Sequence, residues 1–577
     1  MVCTSSTQGK QDANIPVPED STDPGIESII QQAGGFGRFQ KLFLFIYNFL
    51  LPCAMGMNYV NIVMALTAPN HWCHVPGRDE ANLTVDQWKS LTLPRKANIY
   101  SRCSMYADPG DNPHIIGSSI EENITECQFG WEYDRTWYTQ TAVSQHNWVC
   151  NDAIKASIAL SLSSLGQAVG LLVFGQLSDV VGRRPVFHVA AVCVLLGRIG
   201  CVFSSDIYWL FAAAIFLGGS SYGACYSTTL TLAGELVPGS KRGLVTMTQL
   251  TGWAAGHMAA PLVALLLPDW RHFTAATGVS VAPFLLAVWW FPESPRWLAV
   301  HGSAERALSQ LQAIAKCNGC QLPPDTERVL HKLASRRERV YGVPSLFATR
   351  DIAITSTLTC VAGTTMMVLY DSTLLTMTNA VDNSPVLNLV VQAAIEVPAY
   401  MAGRVASDRM GRKPALYCAL LALAILNTCS AAIAGWDVVW AEMTLLALSK
   451  AFICAAFCPL HVLALETFPT CLRQTGISFY SMLGAAASVA SPYLVFQGQN
   501  KDVQIPFLVM SALASIGSIP AFFLNETRKR QMPETLADVN RMKKALKVRK
   551  LSAPDLTPEY VSNGNVGEDG NSQRGLP

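Results

Sequence analysis

The sequence predicts an all-α membrane protein, with twelve transmembrane helices in two pseudo-symmetric six-helix halves and a large extracellular loop after the first helix. Three observations carry that reading. The 577 residues are 50% hydrophobic and only 14% charged, too apolar for an ordinary soluble domain. Apolar runs long enough to cross a bilayer, which takes about 20 residues, recur along the chain. One turn is also written twice, as Gly175-Gln-Leu-Ser-Asp179-Val-Val-Gly182-Arg183-Arg184-Pro185 and as Gly403-Arg-Val-Ala-Ser-Asp408-Arg-Met-Gly411-Arg412-Lys413-Pro414.

A sharp turn between membrane helices calls for these residue types. Glycine tolerates positive φ, proline suits a helix start, and a basic pair holds the turn on the cytoplasmic side. Other pairs keep nearly the same offset: Glu235-Leu-Val-Pro238 with Arg242-Gly243 faces Glu466-Thr-Phe-Pro469 with Arg473 and Gly476, and Phe291-Pro-Glu293 faces Leu524-Asn-Glu526. Any one of them reads as a helix-ending turn; the shared spacing marks a duplicated membrane protein.

In chain order, residues 1–40 form a polar N-terminal segment without the apolar core of a signal peptide, read as a cytoplasmic tail. Gly34-Gly-Phe-Gly37 follows no strand, so it is a hinge rather than a dinucleotide loop. The N-terminal half covers 41–291. Its first apolar run, 41–66, carries Asn48, Asn58 and Asn61, which should face protein rather than lipid. The polar segment 67–151 holds glycosylation acceptors at Asn82 and Asn123 and four cysteines, Cys73, Cys103, Cys127 and Cys150. An even cysteine count beside acceptor sites indicates an oxidising, extracellular face and two disulfides, with all three pairings open. Zinc binding by Cys73 and His74 is the sharper alternative, but the spacing matches no defensible site.

Further apolar runs fall near 153–174, 186–203, 207–233, 244–267 and 273–291, and six more near 352–378, 385–405, 415–434, 438–465, 476–496 and 505–524. Lys and Arg crowd the even-numbered loops and the tail, which places both termini in the cytoplasm. Between the halves, 292–350 has helical spacing at Leu308, Leu311 and Ile314 among basic residues, as short amphipathic helices beneath the membrane would. Cys317-Asn-Gly-Cys320 is a lone pair read as reduced thiols. The C-terminal half covers 351–524, and 525–577 is a cytoplasmic tail, disordered beyond about Lys550.

Net charge is +1, which gives no argument for nucleic acid. No nucleophile elbow, metal motif or phosphate loop appears, so neither an enzyme nor a cofactor or metal is expected. The expected partners are a small organic ion and membrane lipid, with a coupling or counter ion as a candidate.

The paired turns, Gly-x-x-x-Asp-x-x-Gly-Arg-Arg in the first copy and Gly-x-x-x-x-Asp-x-x-Gly-Arg-Lys in the second, resemble the signature of the major facilitator superfamily. His71-Trp-Cys73, Cys127-Gln-Phe-Gly-Trp131-Glu-Tyr133, Pro292-Glu-Ser-Pro-Arg-Trp-Leu298 and Glu396-Val-Pro-Ala-Tyr400 are similar to its organic cation, anion and carnitine transporter branch. That resemblance, over roughly Gly34 to Glu534, implies the major facilitator fold and alternating access about a central site. In it Asp179, Arg183, Arg184, Glu235 and Arg242, with Asp408, Arg412, Glu466 and Arg473, are gates rather than ligands. An ion pair formed in only one orientation biases a two-state equilibrium.

For substrate selection the informative residues are charges stranded in spans, since these normally face a cavity or a partner. Glu396 would attract a cation and Asp371 would add to it, while Lys450 would neutralise Glu396 if the two met. The resemblance implies cavity-facing roles for Tyr226, Tyr370 and Tyr400 and a polar one for Gln249, with Trp253 nearby. It also places Ala485 where cation members carry an aspartate and anion members an arginine, so that discriminator is silent. Gly363-Thr364 replaces an aromatic pair, which thins the cage, and His461 stands in for a tyrosine. The resulting expectation is a plasma-membrane transporter of organic cations or zwitterions. An organic anion exchanger using Arg198 and Lys450, or a non-transporting receptor on the same fold, is the alternative.

Overall fold

The computed structural model describes residues 26–78, 83–96, 99–106, 124–137, 139–286, 290–335, 342–379, 385–434, 439–494, 504–528 and 532–533. The acceptors Asn82 and Asn123 and the tail beyond Lys550 lie outside the described residues.

A short helix α1 (Ile26–Gln32) precedes α2 (Arg38–Phe45), which runs through a π-helical turn (Ile46–Leu50) into α3 (Leu51–Ala65) as one long rod. The segment that follows has three two-stranded ladders. Strand β1 (His71–Cys73) pairs with β6 (Trp131–Tyr133), β2 (Arg95–Lys96) with β3 (Ile99–Tyr100), and β4 (Ser104–Tyr106) with β5 (Ile124–Glu126), all antiparallel, with helices α4 (Val85–Thr92) and α5 (Ala142–His146) between or after them. So little regular structure cannot bury a large core, and two disulfides brace it. Cys73 joins Cys127 and Cys103 joins Cys150, which selects one of the three pairings. The zinc alternative fails: Cys73 is oxidised, and His74 Nδ1 lies 2.7 Å from Glu132 Oε1. The loop sits against the helices through Trp148 and Val149, which pack with Phe211 and Trp270.

The long helices follow: α6 (Ile154–Val181), α7 (Arg183–Phe203), α8 (Tyr208–Leu236), α9 (Arg242–Leu266) and the shorter pair α10 (Trp270–Val279) and α11 (Ala282–Leu286). Three amphipathic helices, α12 (Pro295–Val300), α13 (Ala304–Asn318) and α14 (Thr326–Ser335), lead to α15 (Arg350–Asn379), α16 (Pro385–Met410), α17 (Arg412–Ile433), α18 (Val439–Thr467), α19 (Arg473–Ser488) and α20 (Gln504–Phe523). Seven of the described helical segments are long and apolar enough to cross a membrane: Arg38–Ala65, Cys150–Val181, Arg183–Phe203, Arg350–Met377, Arg412–Ile433, Trp440–Thr467 and Gln504–Phe523. Their outward faces carry exposed Leu165, Val169 and Val173 on α6 and Val189 and Leu196 on α7, an apolar surface that water would not tolerate over such an area. Asn48, Asn58 and Asn61 point the other way and are fully buried; Asn58 donates to the Thr277 carbonyl at 2.8 Å.

The two signature turns fold alike. Gly182 and Gly411 have φ of 112° and 109°, where a side chain would be strained, and each turn is capped by an acid from a later segment. Glu293 accepts the backbone N–H groups of Arg183 and Arg184 at 3.0 and 3.1 Å, and Glu526 accepts those of Arg412 and Lys413, both at 3.1 Å. The N-terminal segment is docked where the structure describes it. Ile26, Ile29 and Ile30 of α1 bury themselves against Leu298 and Ala299 of α12, Leu311 of α13 and Leu330 of α14.

Candidate functional site

Helices α6 and α8 pack together and α6 lies on α19, while α9 lies on α16. Between these contacts runs a central cavity of about 110 Å³. Aromatic rings dominate its wall: Tyr59 from α3, Tyr222 and Tyr226 from α8, Trp253 from α9, and Tyr370 and Tyr400 from α15 and α16. Asp371, His461 and Ala485 also line it. Trp253 faces the cavity and donates from Nε1 to the Tyr370 hydroxyl at 3.3 Å.

Asp371 is the acid of this wall. Its Oδ1 accepts the Tyr59 hydroxyl at 2.9 Å, and among the described residues no basic side chain forms an ion pair with it. The ring of Tyr59 lies 5.5 Å from that of Trp253 and 6.1 Å from that of Tyr222, an aromatic surround suited to a cation.

The geometry corrects the cavity-lining expectations for Glu396 and Gln249, and it brings Lys450 onto Glu396, the neutralising arrangement the sequence left open. Glu396 does not line the cavity: it is fully buried behind Tyr370 and Tyr400, whose hydroxyls donate to it at 2.9 and 3.3 Å. Lys450 Nζ lies 3.0 Å from Glu396 Oε1 and 3.5 Å from the centre of the Tyr370 ring, so acid and base neutralise each other and neither is open to a ligand. Gln249 is also behind the wall, accepting from Asn48 at 2.6 Å and donating to the Tyr226 carbonyl at 2.6 Å. The cage is not simply thinned at Gly363 either, because the Tyr480 ring occupies the space a side chain there would take.

On the face that carries the signature turns, charges from the two halves interlock. Arg183 lies 2.9 Å from Asp179 and 3.2 Å from Glu235, and Arg473, from the second half, reaches Glu235 at 2.8 Å. Asp179 Oδ2 accepts the backbone N–H of Thr475 at 2.7 Å, in the first turn of α19, where a negative charge meets the positive end of the helix dipole. The second copy is looser. Arg412 pairs with Glu466 at 3.3 Å and with the half-exposed Asp408 at 3.7 Å, and Arg242 stands 3.7 Å from Glu466. Arg184 enters through its backbone bond to Glu293.

A model of the sugar (and other) transporter family matches residues 120–537. The chain belongs to that family, within the major facilitator superfamily. It is 28% identical to the beta-alanine transporter of Drosophila melanogaster over 89% of this chain and 88% of that protein, and 29% identical to human solute carrier family 22 member 7 over 90% and 96%. It is 28% identical to human organic cation/carnitine transporter 2 over 88% and 93%. Its fold is similar to that of the proton:xylose symporter XylE bound to a bromo-deoxyglucose, with a TM-score of 0.55 and 17% identity over 67% of this chain and 90% of the other.

Several residues of this transporter escaped the sequence reading. Glu27 of α1 pairs with Arg242 at 2.8 Å and Arg296 at 3.0 Å and accepts the Gly239 N–H at 2.7 Å. Burial pushes its carboxyl up, but Arg296, Arg242 and the Gly239 N–H together hold it below the ordinary carboxylate value of 4.5. The apolar spacing of Ile26, Ile29 and Ile30 was the signal that this stretch docks. Tyr59 gave no signal beyond its place one residue after Asn58.

Proposed function

We propose that this chain carries small organic cations or zwitterions across the plasma membrane by alternating access, with twelve spans and both termini in the cytoplasm. Seven described helical segments long and apolar enough to cross a membrane support this reading, and twelve spans would put the basic turns on one face, as the positive-inside rule requires. The single observation that carries the substrate reading is Asp371, an acid without an ion-pair partner among the described residues, set among the rings of Tyr59, Tyr222 and Trp253 in the central cavity. Its relatives include transporters of beta-alanine, carcinine and carnitine, which supports small charged organic molecules. The residues 179, 183, 184, 235, 242, 408, 412, 466 and 473 then act as gates on the cytoplasmic face, and the disulfide-braced loop lies outside.

The test is uptake of labelled cations, zwitterions and anions by cells expressing the chain, with the membrane potential held inside-negative or collapsed. Cation uptake should fall on depolarisation, because each charge crossing 100 mV gains about 2.3 kcal/mol, and Asp371→Asn should abolish it. Uptake of anions alone would establish the exchanger instead, and surface delivery without any uptake would establish the receptor.

A further inference from the structure

The cavity does not end at Asp371. It continues toward the face that carries the disulfide-braced loop as a second compartment, walled by Val63, Leu160, Ser161, Arg198, Leu374 and Ser491. Tyr59, Ser164, Tyr222 and Asp371 line both compartments, so the two adjoin.

Arg198 of α7 sets the chemistry of the second compartment. It is 1% exposed, and its Nη2 donates to the Asn58 carbonyl at 2.9 Å, but its Nε and Nη1 have no hydrogen-bond partner. Among the described residues no carboxylate lies within ion-pair distance of it. That sets it apart from the buried arginines of the turn face, since Arg183, Arg242 and Arg473 each meet an acid. The fold makes space for this side chain: a Cβ on Gly278 of α10 would stand 2.7 Å from the Arg198 Cβ. Burying a guanidinium without a counter-charge is costly, and a purely structural position would be filled more cheaply by an apolar side chain. The planar fork of donors matches a carboxylate, which it binds through two parallel bonds. The hydroxyls of Ser161 and Ser491 lie in the same wall and also lack partners.

We propose that Arg198, with Ser161 and Ser491, forms a carboxylate subsite, and that the substrate is a zwitterion whose ammonium lies against Asp371 and the Tyr59 and Tyr222 rings while its carboxylate reaches Arg198. This rests on the transport reading above and narrows it. Opposite charges in adjoining compartments select molecules that carry both, and leave either buried charge uncompensated when a ligand carries only one.

The experiment compares uptake of labelled 3-aminopropionate with that of 3-aminopropanamide, which keeps the ammonium and the length and removes the negative charge. The acid should be preferred by at least about tenfold in kcat/KM, since a site built around a polar partner rejects analogues that lack it. Arg198→Gln should lower acid uptake at least about tenfold more than amide uptake, and Arg198→Lys should restore part of the difference. Both probes are read in the same cells, so the ratio does not depend on the amount of protein at the surface. If Arg198→Gln fails to fold, the purified wild-type protein decides the matter: the acid should raise its Tm and the amide should not. Equal handling of acid and amide by the wild type, or an unchanged preference in Arg198→Gln, overturns the subsite while cation uptake keeps the transport reading. Failure to take up any member of the wider panel overturns both.

Discussion

The Asp179 carboxylate and the Thr475 backbone N–H are joined at 2.7 Å, although one closes α6 and the other opens α19. A first-half acid therefore caps a second-half helix, and under the alternating access proposed above the contact breaks when that face opens. Asp179→Asn removes the charge from a buried network with Arg183, and losing one partner of a buried pair costs about 3–5 kcal/mol. The closed arrangement of the turn face should lose population, with turnover falling about tenfold. Turnover per surface molecule, from uptake and surface biotinylation together, checks it; an unchanged value would sink the gating role.

Glu396 and Lys450 form a buried pair with 0% exposure on both sides. Either Glu396→Gln or Lys450→Met alone strands a charge and should reduce stability by about 3–5 kcal/mol. The double variant should recover most of that loss, because no charge is left uncompensated. Thermal unfolding of the four proteins in detergent gives the coupling energy; additive losses would mean that the pair is not mutually neutralising.

Glu27 ties α1 to Arg242 and Arg296. Its folded-state carboxyl is held below 4.5, so its contribution is complete above that value and is lost as pH falls through the lower folded-state one. Wild-type Tm should therefore drop on acidification below pH 4.5 by more than that of Glu27→Gln, which lacks the titrating group. At neutral pH the variant should be less stable by about 1–2 kcal/mol, discounted because Glu27 is 26% exposed. Parallel Tm profiles for the two proteins would contradict this.

The disulfides close segments of 54 and 47 residues. Loop-closure entropy for lengths of this order corresponds to about 4 kcal/mol each. Cys73→Ser with Cys127→Ser, or Cys103→Ser with Cys150→Ser, should sharply reduce surface delivery, and mass spectrometry of the unreduced protein should find only those two pairings among the four cysteines. A peptide linking Cys73 to Cys103 would refute the assignment.

Much of the fold was legible because its causes are local. Apolar runs place helices, and the duplicated turns could be read from glycine, proline and the basic pair within a dozen residues. The amphipathic helices between the halves followed from the spacing of Leu308, Leu311 and Ile314. The docking of α1 was missed because only three isoleucines mark it inside a polar stretch.

The site was legible only in part. Tyr226, Tyr370, Asp371, Tyr400 and Ala485 do line the cavity, whereas Glu396, Lys450 and Gln249 stand behind its wall. An intramembrane charge announces that it has a partner or a cavity, but helical phase alone does not say which.

The sequence by itself determined that this is a duplicated helical membrane protein with paired basic turns and a cysteine-bearing loop, since composition, periodicity and turn chemistry act over a few residues. Only the tertiary structure decided which charges cancel. Lys450 meets Glu396, Arg473 meets Glu235, and Arg198 meets no acid among the described residues. Coulomb energy depends on separation through a low-dielectric interior, and residues far apart in the chain acquire that separation only when the helices pack.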